Sequence, residues 1–428
     1  MEFLQFGILL APMLILMGLG LEIFLAMGIT CLVFALLFDL PLMVLPQSYV
    51  RGLAVYDLLA LPFYFLAGDL MNEGGITARL VRFAEALIGH VRGGLSHVTI
   101  ISSMIFAGVS GSAVADASAI GSVLIPTMKK NGYPAPYVAA LTAASATIGP
   151  IIPPSIPMVV YGLLTQVSIG KLFLAGAIPG ILMGVYLLVV SFHISYRRNY
   201  PANPRATFKQ LLRSFIDAAP ALMMPAIILG GIIIGIVTPT EAGAIAVVYG
   251  LLVGCFVYRE INVKDLPRIF GQTMVNTATI MIIIATTGLF CWVIANMGLG
   301  SVLVKLFQSI STNKWVILSI INLFFLFWGC FLDPVTAMLI LVPILIPLVQ
   351  ELGIDLVHFG LVVVLNLMIG LVTPPVGILL YLSSSMANVK LGEMLKELVP
   401  FLIALFLVLA MSTYIPFIVM WLPNFLIK

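Results

Sequence analysis

Oxygen-bearing residues lie among glycines in a short segment of otherwise apolar surroundings. The segment Gly108 to Asp116 (GVSGSAVAD) offers the hydroxyls of Ser110 and Ser112 and the backbone carbonyls around Gly108. Sodium is a hard cation that binds hydroxyls, carboxylates and the carbonyls freed where helices unwind. The segment therefore predicts a sodium site, although its small residues are also compatible with close helix packing.

A proline-rich run further along the chain predicts a source of free carbonyls. The run GPIIPPSIP, Gly149 to Pro157, holds four prolines within eight residues. Each proline lacks a backbone N–H, so carbonyls about four residues earlier lose their helical partners. We favour a true helix break here over a simple kink. Ser155 would follow the break at a half-helix N-terminus, which favours an anionic group. The carbonyls expected to be released are those of Ser145, Ala146, Gly149 and Pro150.

The same arrangement returns 221 positions later with different side chains. Nine residues are identical at this shift, namely Gly108, Leu124, Ile125, Pro126, Gly132, Gly149, Pro153, Pro154 and Pro179 with Gly329, Leu345, Ile346, Pro347, Gly353, Gly370, Pro374, Pro375 and Pro400. Asp333 replaces Ser112 at the second tip. Because it precedes Pro334, Asp333 is either a helix N-cap, an ion ligand or both. Asp116 would likewise close its own tip by capping, and an ionisable group at that depth indicates function.

These patterns give three sets of candidate ligands and no catalytic residue. The first sodium site is assigned to Gly108, Ser110, Ser112, Gly149, Ile152 and Pro154. The second sodium site is assigned to Gly329, Asp333, Gly370, Thr373 and Val376. An anionic substrate is assigned to Ser112, Asp116, Ser155 and Thr336. We expect sodium to be the only metal and no organic cofactor to bind.

The composition requires these sites to lie in a membrane. Hydrophobic residues make up 62% of the 428-residue chain and charged residues 9%, far below the roughly 25% of a soluble domain. The fold class predicted is an all-α polytopic membrane protein. Apolar runs predict spans near 3–20, 22–38, 57–73, 136–163, 172–193, 217–236, 241–258, 271–296, 359–383 and 398–422. The stretches 94–128 and 315–349 are interrupted halfway, so we interpret each as a re-entrant helical hairpin.

The basic residues support one topology. With residues 193–216 in the cytoplasm, 15 of the 20 Lys and Arg residues lie inside, as the positive-inside rule requires. Both termini are then periplasmic. Five crossings separate the two copies, so the second copy is inverted relative to the first. Because the basic residues are dispersed among the spans, we expect no nucleic-acid partner.

Two flanking features have simpler interpretations. Thr77 to His97 predicts an amphipathic helix along the cytoplasmic interface, with a partner at Gly298 to Lys314 on the other face. Thr240 would cap the following helix and Glu241 would favour its N-terminal end.

A channel would need a continuous polar pore, and an enzyme would need a convergent acid, base or metal set. Neither pattern is present in the sequence.

The chain resembles the large membrane subunit of tripartite ATP-independent periplasmic (TRAP) transporters. The resemblance covers almost the whole chain and lies in the segment from Gly108 to Gly162, in TPTEAGA from Thr238 to Ala244, and in GCFLDPVTAM and GLVTPPVG of the second half. It implies a sodium-coupled importer that takes a carboxylate-bearing solute from a periplasmic solute-binding protein. It also implies a small four-helix membrane subunit, here expected to be a separate chain, and a bacterial inner-membrane location.

The resemblance further implies an elevator mechanism, in which a transport domain slides against a scaffold. The division expected is 1–75 scaffold, 76–193 first arm, hairpin and broken helix, 194–258 connection and scaffold, 259–314 scaffold helix and second arm, and 315–428 second hairpin, broken helix and final helix. Sialic acid is the first expectation for the solute. A C4-dicarboxylate or another organic acid is the alternative within the family, and an ion channel is the alternative of another class.

Overall fold

The computed structural model describes residues 2–427, and this part of the chain is helical without a strand. The first half contains α1 (Glu2–Gly18), α2 (Ile23–Leu37), α3 (Val44–Leu53), α4 (Ala60–Glu73), α5 (Ile76–Ile88), α6 (Gly94–Ser110), α7 (Ala113–Lys130), α8 (Ala135–Ala146), α9 (Ile156–Thr165) and α10 (Ile169–Arg197). The second half contains α11 (Phe208–Ile234), α12 (Pro239–Leu252), α13 (Leu266–Asn296), α14 (Leu299–Ile310), α15 (Lys314–Gly329), α16 (Pro334–Glu351), α17 (Leu356–Gly370), α18 (Ile378–Ala387), α19 (Leu391–Tyr414) and α20 (Pro416–Leu426).

Helix lengths agree with a membrane protein whose spans are partly divided. Within the described residues six helices are long and apolar enough to cross a membrane alone. The number is seven if Val44–Leu53 and Tyr56–Glu73, which are bent by 56°, are counted as one span. The predicted spans 136–163, 359–383 and 398–422 are each two helices. The all-α polytopic fold class is confirmed.

Both predicted hairpins and both predicted breaks are present as pairs of helices. Gly111 and Ser112 connect α6 to α7, and residues 330–333 connect α15 to α16. The breaks separate α8 from α9 and α17 from α18. Each break contains a cis proline peptide, Pro153–Pro154 and Pro374–Pro375, at the common shift. The repeat read from the sequence therefore extends to the backbone.

The two repeats interlock through their hairpins and broken helices. Helix α18 of the second repeat packs on α7 and α8, while α9 of the first repeat packs on α16. Aromatic side chains fill the seam: the Tyr161 hydroxyl donates to the Leu356 carbonyl at 2.7 Å, and the ring of Tyr137 lies 6.0 Å from that of Phe401. Burial of such rings supplies much of the packing energy of a core. Helices α6 to α10 and α15 to α19 therefore form one packed body, called here the interlocked body.

The remaining long helices pack mainly on one another. Helix α4 lies against α12, and α13 lies against α2 and α3. The Tyr64 hydroxyl donates to the Pro239 carbonyl at 3.0 Å. Helices α4, α11 and α13 also touch the hairpins. The division into transport and scaffold domains stays a prediction.

Two local predictions need correction. The first amphipathic helix ends at Ile88, and α6 begins after Gly93, whose φ is +76°. His97 therefore lies in the first hairpin, buried, with its Nε2 atom 3.1 Å from the Arg92 carbonyl. Gly89 follows the last residue of the arm helix, and Gly93 and Gly94 begin α6, so the arm ends earlier than its apolar pattern indicates.

The second correction concerns the cap of α12. Thr238, not Thr240, is the N-cap: its hydroxyl accepts the Glu241 N–H at 3.3 Å, and the Glu241 carboxylate accepts the Thr238 N–H at 2.8 Å. This is a capping box. Pro239 has no N–H to lose at the first helical position, so the helix begins two residues earlier than expected.

The segment between α2 and α4 also contains a helix where none was predicted. Helix α3 spans Val44–Leu53 and packs on α13. Its sequence contains Pro46, Gln47 and Arg51, which interrupt the apolar run that marks a span. Because these three residues interrupt the apolar periodicity of such a short helix, the sequence pattern did not predict it.

Candidate functional site

The first hairpin tip lies directly on the first broken helix. Gly111 ends α6 in the left-handed region, with φ of +61°. A Cβ atom there would lie 2.7 Å from the Pro154 carbonyl oxygen, so a side chain has no room. Ser112 then begins α7, where its hydroxyl faces the Ala115 N–H at 3.5 Å. Tip and break, called here the first tip–break pair (residues 108–116 and 145–157), are therefore in backbone contact.

A buried acid connects the two parts of the first pair. Ser110 donates its hydroxyl to Oδ1 of Asp116, which is fully buried. The other carboxylate oxygen, Oδ2, lies against Gly149 and has no hydrogen-bond partner among the described residues. A buried carboxylate oxygen without a partner is costly. This oxygen, the Ser110 hydroxyl and the nearby backbone are the hard donors that a sodium ion takes.

Three of the four carbonyls expected to be released at the first break are hydrogen-bonded, and the release of the Gly149 carbonyl stays a prediction. The Ser145 carbonyl accepts the Ile148 N–H and the Ala146 carbonyl accepts the Gly149 N–H, both at 3.1 Å. The Pro150 carbonyl accepts the Ser155 hydroxyl at 2.5 Å. At Ser145 and Ala146 the chain compensates by accepting the N–H of the third residue instead of the fourth, and at Pro150 a side chain supplies the donor. A carbonyl oxygen has two lone pairs, so one remains on each of these atoms.

The second tip–break pair (residues 329–336 and 366–377) is joined by glycines and a backbone bond. A Cβ atom on Gly370 would lie 2.7 Å from the Gly329 Cα atom and 2.8 Å from its carbonyl oxygen. The Gly377 N–H donates to the Cys330 carbonyl at 2.9 Å. Tip and break are thus held together by main chain on both sides.

Asp333 caps the helix that comes after the second tip. Its Oδ2 atom accepts the N–H groups of Val335 at 3.1 Å and Thr336 at 3.4 Å. The capping expectation for Asp333 is confirmed, and Pro334 occupies the first helical position. Asp116 does not cap α7, because Ser112 already occupies the N-cap position and Asp116 lies a full turn inside the helix.

A chain of amides extends from the second break into the core. The Asn366 amide nitrogen donates to Oδ1 of Asn322 at 2.8 Å and to the Val362 carbonyl at 2.7 Å. The Asn322 amide nitrogen donates in turn to the Thr413 hydroxyl at 3.0 Å. The Asn366 side-chain oxygen is fully buried and has no partner among the described residues. It is an open acceptor one turn before Gly370.

A cavity of about 140 Å³ lies between the two tip–break pairs. The first helical residues of α7, α9 and α16 line it. The helix dipole makes each helix N-terminus favourable for an anion. At α16 the N–H groups of Val335 and Thr336 are already bonded to Asp333. The cavity lining is Phe65, Gly111, Ser112, Ala113, Val114, Pro150, Ile156, Pro157, Ile280, Asp333, Pro334, Val335, Met368 and Leu371.

The predicted substrate residues are distributed differently from the expectation. Ser112 lines the cavity, whereas Asp116 lies behind the first tip. Ser155 is buried, caps α9 and donates to the Pro150 carbonyl. Thr336 is buried behind the first turn of α16, where Asp333 caps its N–H. Asp333, expected only at the sodium site, also lines the cavity.

The predicted sodium-site residues lie within the two pairs. Gly108 lies near the Pro153 carbonyl, 3.7 Å from where its Cβ would be. Ile152 has its side chain against Gly180 of α10, so the backbone is what it offers to the first pair. At the second pair the Thr373 hydroxyl donates to the Ile369 carbonyl at 2.7 Å, and Val376 is exposed. The assignment of these residues to sodium stays a prediction.

Sequence reasoning missed the walls of the cavity. Phe65 of α4 and Ile280 of α13 face it from the predicted scaffold, and Met368 and Leu371 face it from the second break. All four side chains are apolar, so they carry no chemical pattern in the sequence. A signal exists only for Leu371, which comes directly after the repeated Gly370.

A family model described as the tripartite ATP-independent periplasmic transporter, DctM component, matches residues 8–418. The chain belongs to this family. Its relatives in the TRAP family include the sialic acid TRAP transporter large permease protein SiaM of Vibrio cholerae, 41% identical over 88% of this chain and 88% of the relative. The C4-dicarboxylate TRAP transporter large permease protein DctM of Pseudomonas aeruginosa is 40% identical over 89% of this chain and 91% of the relative.

A solved structure of similar fold is the YdaH transporter of Alcanivorax borkumensis. Its TM-score is 0.63 at 14% identity, with 87% of each chain covered. As a TRAP large permease, the chain is a transport protein and not an enzyme. It is a multi-pass inner-membrane protein for secondary transport of organic acids, and it works with a small membrane subunit and a periplasmic binding protein.

Proposed function

We propose that this TRAP permease imports a carboxylate-bearing solute by coupling its entry to sodium. The observation that carries the proposal is the meeting of the N-termini of α7, α9 and α16 at one cavity. Their dipoles favour a carboxylate there without a fixed positive side chain. The N–H groups that could meet it are those of α7 and α9, because Asp333 already accepts the N–H groups of Val335 and Thr336 in α16. The cavity lies between two elements that are rich in oxygen ligands, as coupling of ion and solute requires.

Sodium coupling is supported by open oxygen acceptors in both tip–break pairs. At the first pair the acceptor is Oδ2 of Asp116, and at the second it is the side-chain oxygen of Asn366. Each is buried in the chain where helices begin or break. A sodium ion would satisfy either oxygen and would also offset the charge of a carboxylate in the adjoining cavity.

Two solutes are candidates, and different observations favour them. Sialic acid is implied by the resemblance and is the solute named for the Vibrio cholerae relative. A C4-dicarboxylate is named for the Pseudomonas aeruginosa relative. The cavity of about 140 Å³ is smaller than the roughly 300–1,000 Å³ of common ligand sites. In this state it suits the smaller acid, and a sugar acid requires the tips to move apart.

The elevator mechanism is the proposed route across the membrane. Both pairs belong to the interlocked body, while Phe65 and Ile280 line the cavity from α4 and α13. If the interlocked body slides past these helices, the apolar walls leave the cavity and its other side opens. The ions and the solute would move together with the body.

The test is uptake into proteoliposomes that contain this chain and its small subunit, with the loaded binding protein outside. Labelled sialic acid and labelled succinate are compared under an inward sodium gradient and under an equal potassium gradient. We expect saturable uptake of one acid that requires sodium. Equal uptake in potassium would refute sodium coupling.

Two further measurements separate the remaining alternatives. Solute uptake that saturates, with no ion current beyond the coupled flux, supports a transporter. An ion conductance that does not saturate would indicate a channel. Uptake of neither acid, with the binding protein shown to be loaded, would refute both solute assignments. Omitting the binding protein is the control, because delivery is then lost while the membrane components stay the same.

A further inference from the structure

A basic groove lies between the end of α10 and the beginning of α19, remote from the two tip–break pairs. Its volume is about 490 Å³. Both elements belong to the part of the chain predicted to face the cytoplasm, so the role inferred for the groove rests on the topology used for the proposed function. The groove is lined by Val189, Val190, His193, Ile194, Arg197, Arg198, Lys396, Glu397 and Pro400.

The charges of the groove leave an excess of positive groups. Arg198 pairs with Glu397 at 2.9 Å, so these two charges offset one another. Within residues 2–427, Arg197 and Lys396 form no ion pair, and both are exposed. The exposed His193 lies one helical turn before Arg197 on α10. An anionic group with several oxygens would find donors on two sides of this groove.

The walls and the neighbours of the groove are those of a lipid boundary. Val189 is 62% exposed and Val190 and Pro400 are partly exposed, so the groove continues along the apolar surface of α10. Phe192 and Tyr196 are exposed on the last turns of the same helix. Exposed aromatic rings at this position are typical of the level of lipid headgroups. A hydrated soluble anion would gain nothing from these apolar walls.

In the second repeat, a helix covers the place that corresponds to this groove. At the shift of 221, Arg197 and Arg198 correspond to Ile418 and Val419 of α20, and Val419 is fully buried. Helix α20 packs on α10 there. After α10, in contrast, the chain turns away to the loop between α5 and α6, where the Pro201 carbonyl accepts the Gly93 N–H at 3.0 Å. The first repeat therefore leaves exposed a place that the second repeat covers with its own helix.

We propose that this groove binds the phosphate headgroup of an anionic phospholipid of the cytoplasmic leaflet. Arg197 and Lys396 contact the phosphate from the two helices, and the acyl chains lie along Val189 and Pro400. Basic pockets between helices at the cytoplasmic surface attract anionic headgroups in this way. Because α10 and α19 come from different repeats, the lipid joins the two halves of the interlocked body from outside.

The test measures lipid binding to the purified chain with its small subunit by native mass spectrometry. The probes are phosphatidylglycerol, phosphatidylethanolamine and inorganic phosphate. The double variant Arg197→Gln/Lys396→Gln is compared with the charge-matched control Arg205→Gln/Lys209→Gln, whose residues are exposed outside the groove. We expect phosphatidylglycerol to bind the groove variant about tenfold or more weakly, and the control to match the unaltered chain.

Three outcomes would overturn the proposal. Equal weakening in both double variants would indicate diffuse surface charge, and equal binding of phosphatidylethanolamine would remove the requirement for an anion. Displacement of the lipid by an equimolar amount of inorganic phosphate would indicate a site for soluble anions. If the groove variant does not fold, the variant Arg197→Lys should keep the affinity and the single variant Lys396→Gln should lose part of it.

Discussion

The two tip–break pairs share a backbone but use their acids differently. In the first pair Asp116 reaches from the hairpin to Gly149 of the break, and one of its oxygens stays open. In the second pair Asp333 is used for capping α16, and tip and break are joined by main chain through Gly377 and Cys330. Duplication therefore preserved the path of the chain, while the ligand chemistry changed around it.

The largest effect is expected from a methyl group at the second break. In Gly370→Ala the Cβ atom would lie 2.7 Å from the Gly329 Cα atom, and the backbone there is held on both sides. Overpacking of this kind costs about 1–3 kcal/mol and moves the tip. We expect sodium-driven uptake to fall below about a tenth, and both uptake and the thermal unfolding midpoint should be measured.

The matched change at the first break sharpens this test. In Gly149→Ala the methyl group first meets the end of the Asp116 side chain and not backbone atoms. We expect the weaker defect here, and Gly392→Ala, with no atom within 4 Å of its Cβ, should be neutral. If Gly149→Ala is the more damaging of the two, the contrast between the pairs is wrong.

The second largest effect is expected from Asp116→Asn. The change keeps the size of the side chain and removes the negative charge that we assign to sodium at the first pair. The apparent sodium affinity of uptake should fall about tenfold or more, since a charged hydrogen-bonding group contributes about 1.5–3 kcal/mol. Sodium titration of uptake measures it. An unchanged half-saturating concentration would remove Asp116 from the site.

Two substitutions of Asp333 should distinguish its role as a helix cap from the role of its charge. Their effect on uptake should be smaller than that of Asp116→Asn. Asn caps helices about as well as Asp, whereas Ala loses about 1 kcal/mol. We expect Asp333→Ala to lower both the unfolding midpoint and the sodium affinity, and Asp333→Asn to lower the sodium affinity alone. Thermal unfolding with and without sodium, together with uptake, distinguishes them. If only Asp333→Ala lowers the sodium affinity, Asp333 does no more than cap the helix.

The smallest effect is expected from Ser110→Ala. The change removes the hydroxyl that holds Asp116 and offers one ligand to sodium, while the carboxylate stays. Sodium affinity should fall about threefold, by the roughly 0.5–1.5 kcal/mol of one neutral hydrogen bond. Ser122→Ala, an exposed hydroxyl bonded to the Ala119 carbonyl, is the control. A similar fall in both variants would make the effect nonspecific.

The sequence was most informative where local rules decide the structure. Pro153 and Pro154 forced a break, and their recurrence as Pro374 and Pro375 located the second one. Asp333 before Pro334 predicted a capped helix start because the rule involves only neighbouring residues. These features required no knowledge of the tertiary structure.

Contacts between distant segments could not be predicted in this way. Nothing near Asp116 in the sequence indicates that its carboxylate meets Gly149, because the contact depends on how the hairpin packs on the broken helix. Phe65 and Ile280 were missed for the same reason, since apolar side chains have no spacing that marks a cavity wall. The early end of the first amphipathic helix at Ile88 was missed because glycines can continue or end a helix.

The interlocked repeats have a consequence for synthesis of the protein. Helix α8 finds its partners α18 and α19 only after more than 200 further residues have left the ribosome. Until then the surface of the first hairpin and its broken helix that packs on the second repeat has no partner in the bilayer. We expect neither half to mature alone, and two halves divided in the loop between α10 and α11 to regain uptake only when both are produced in the same cell.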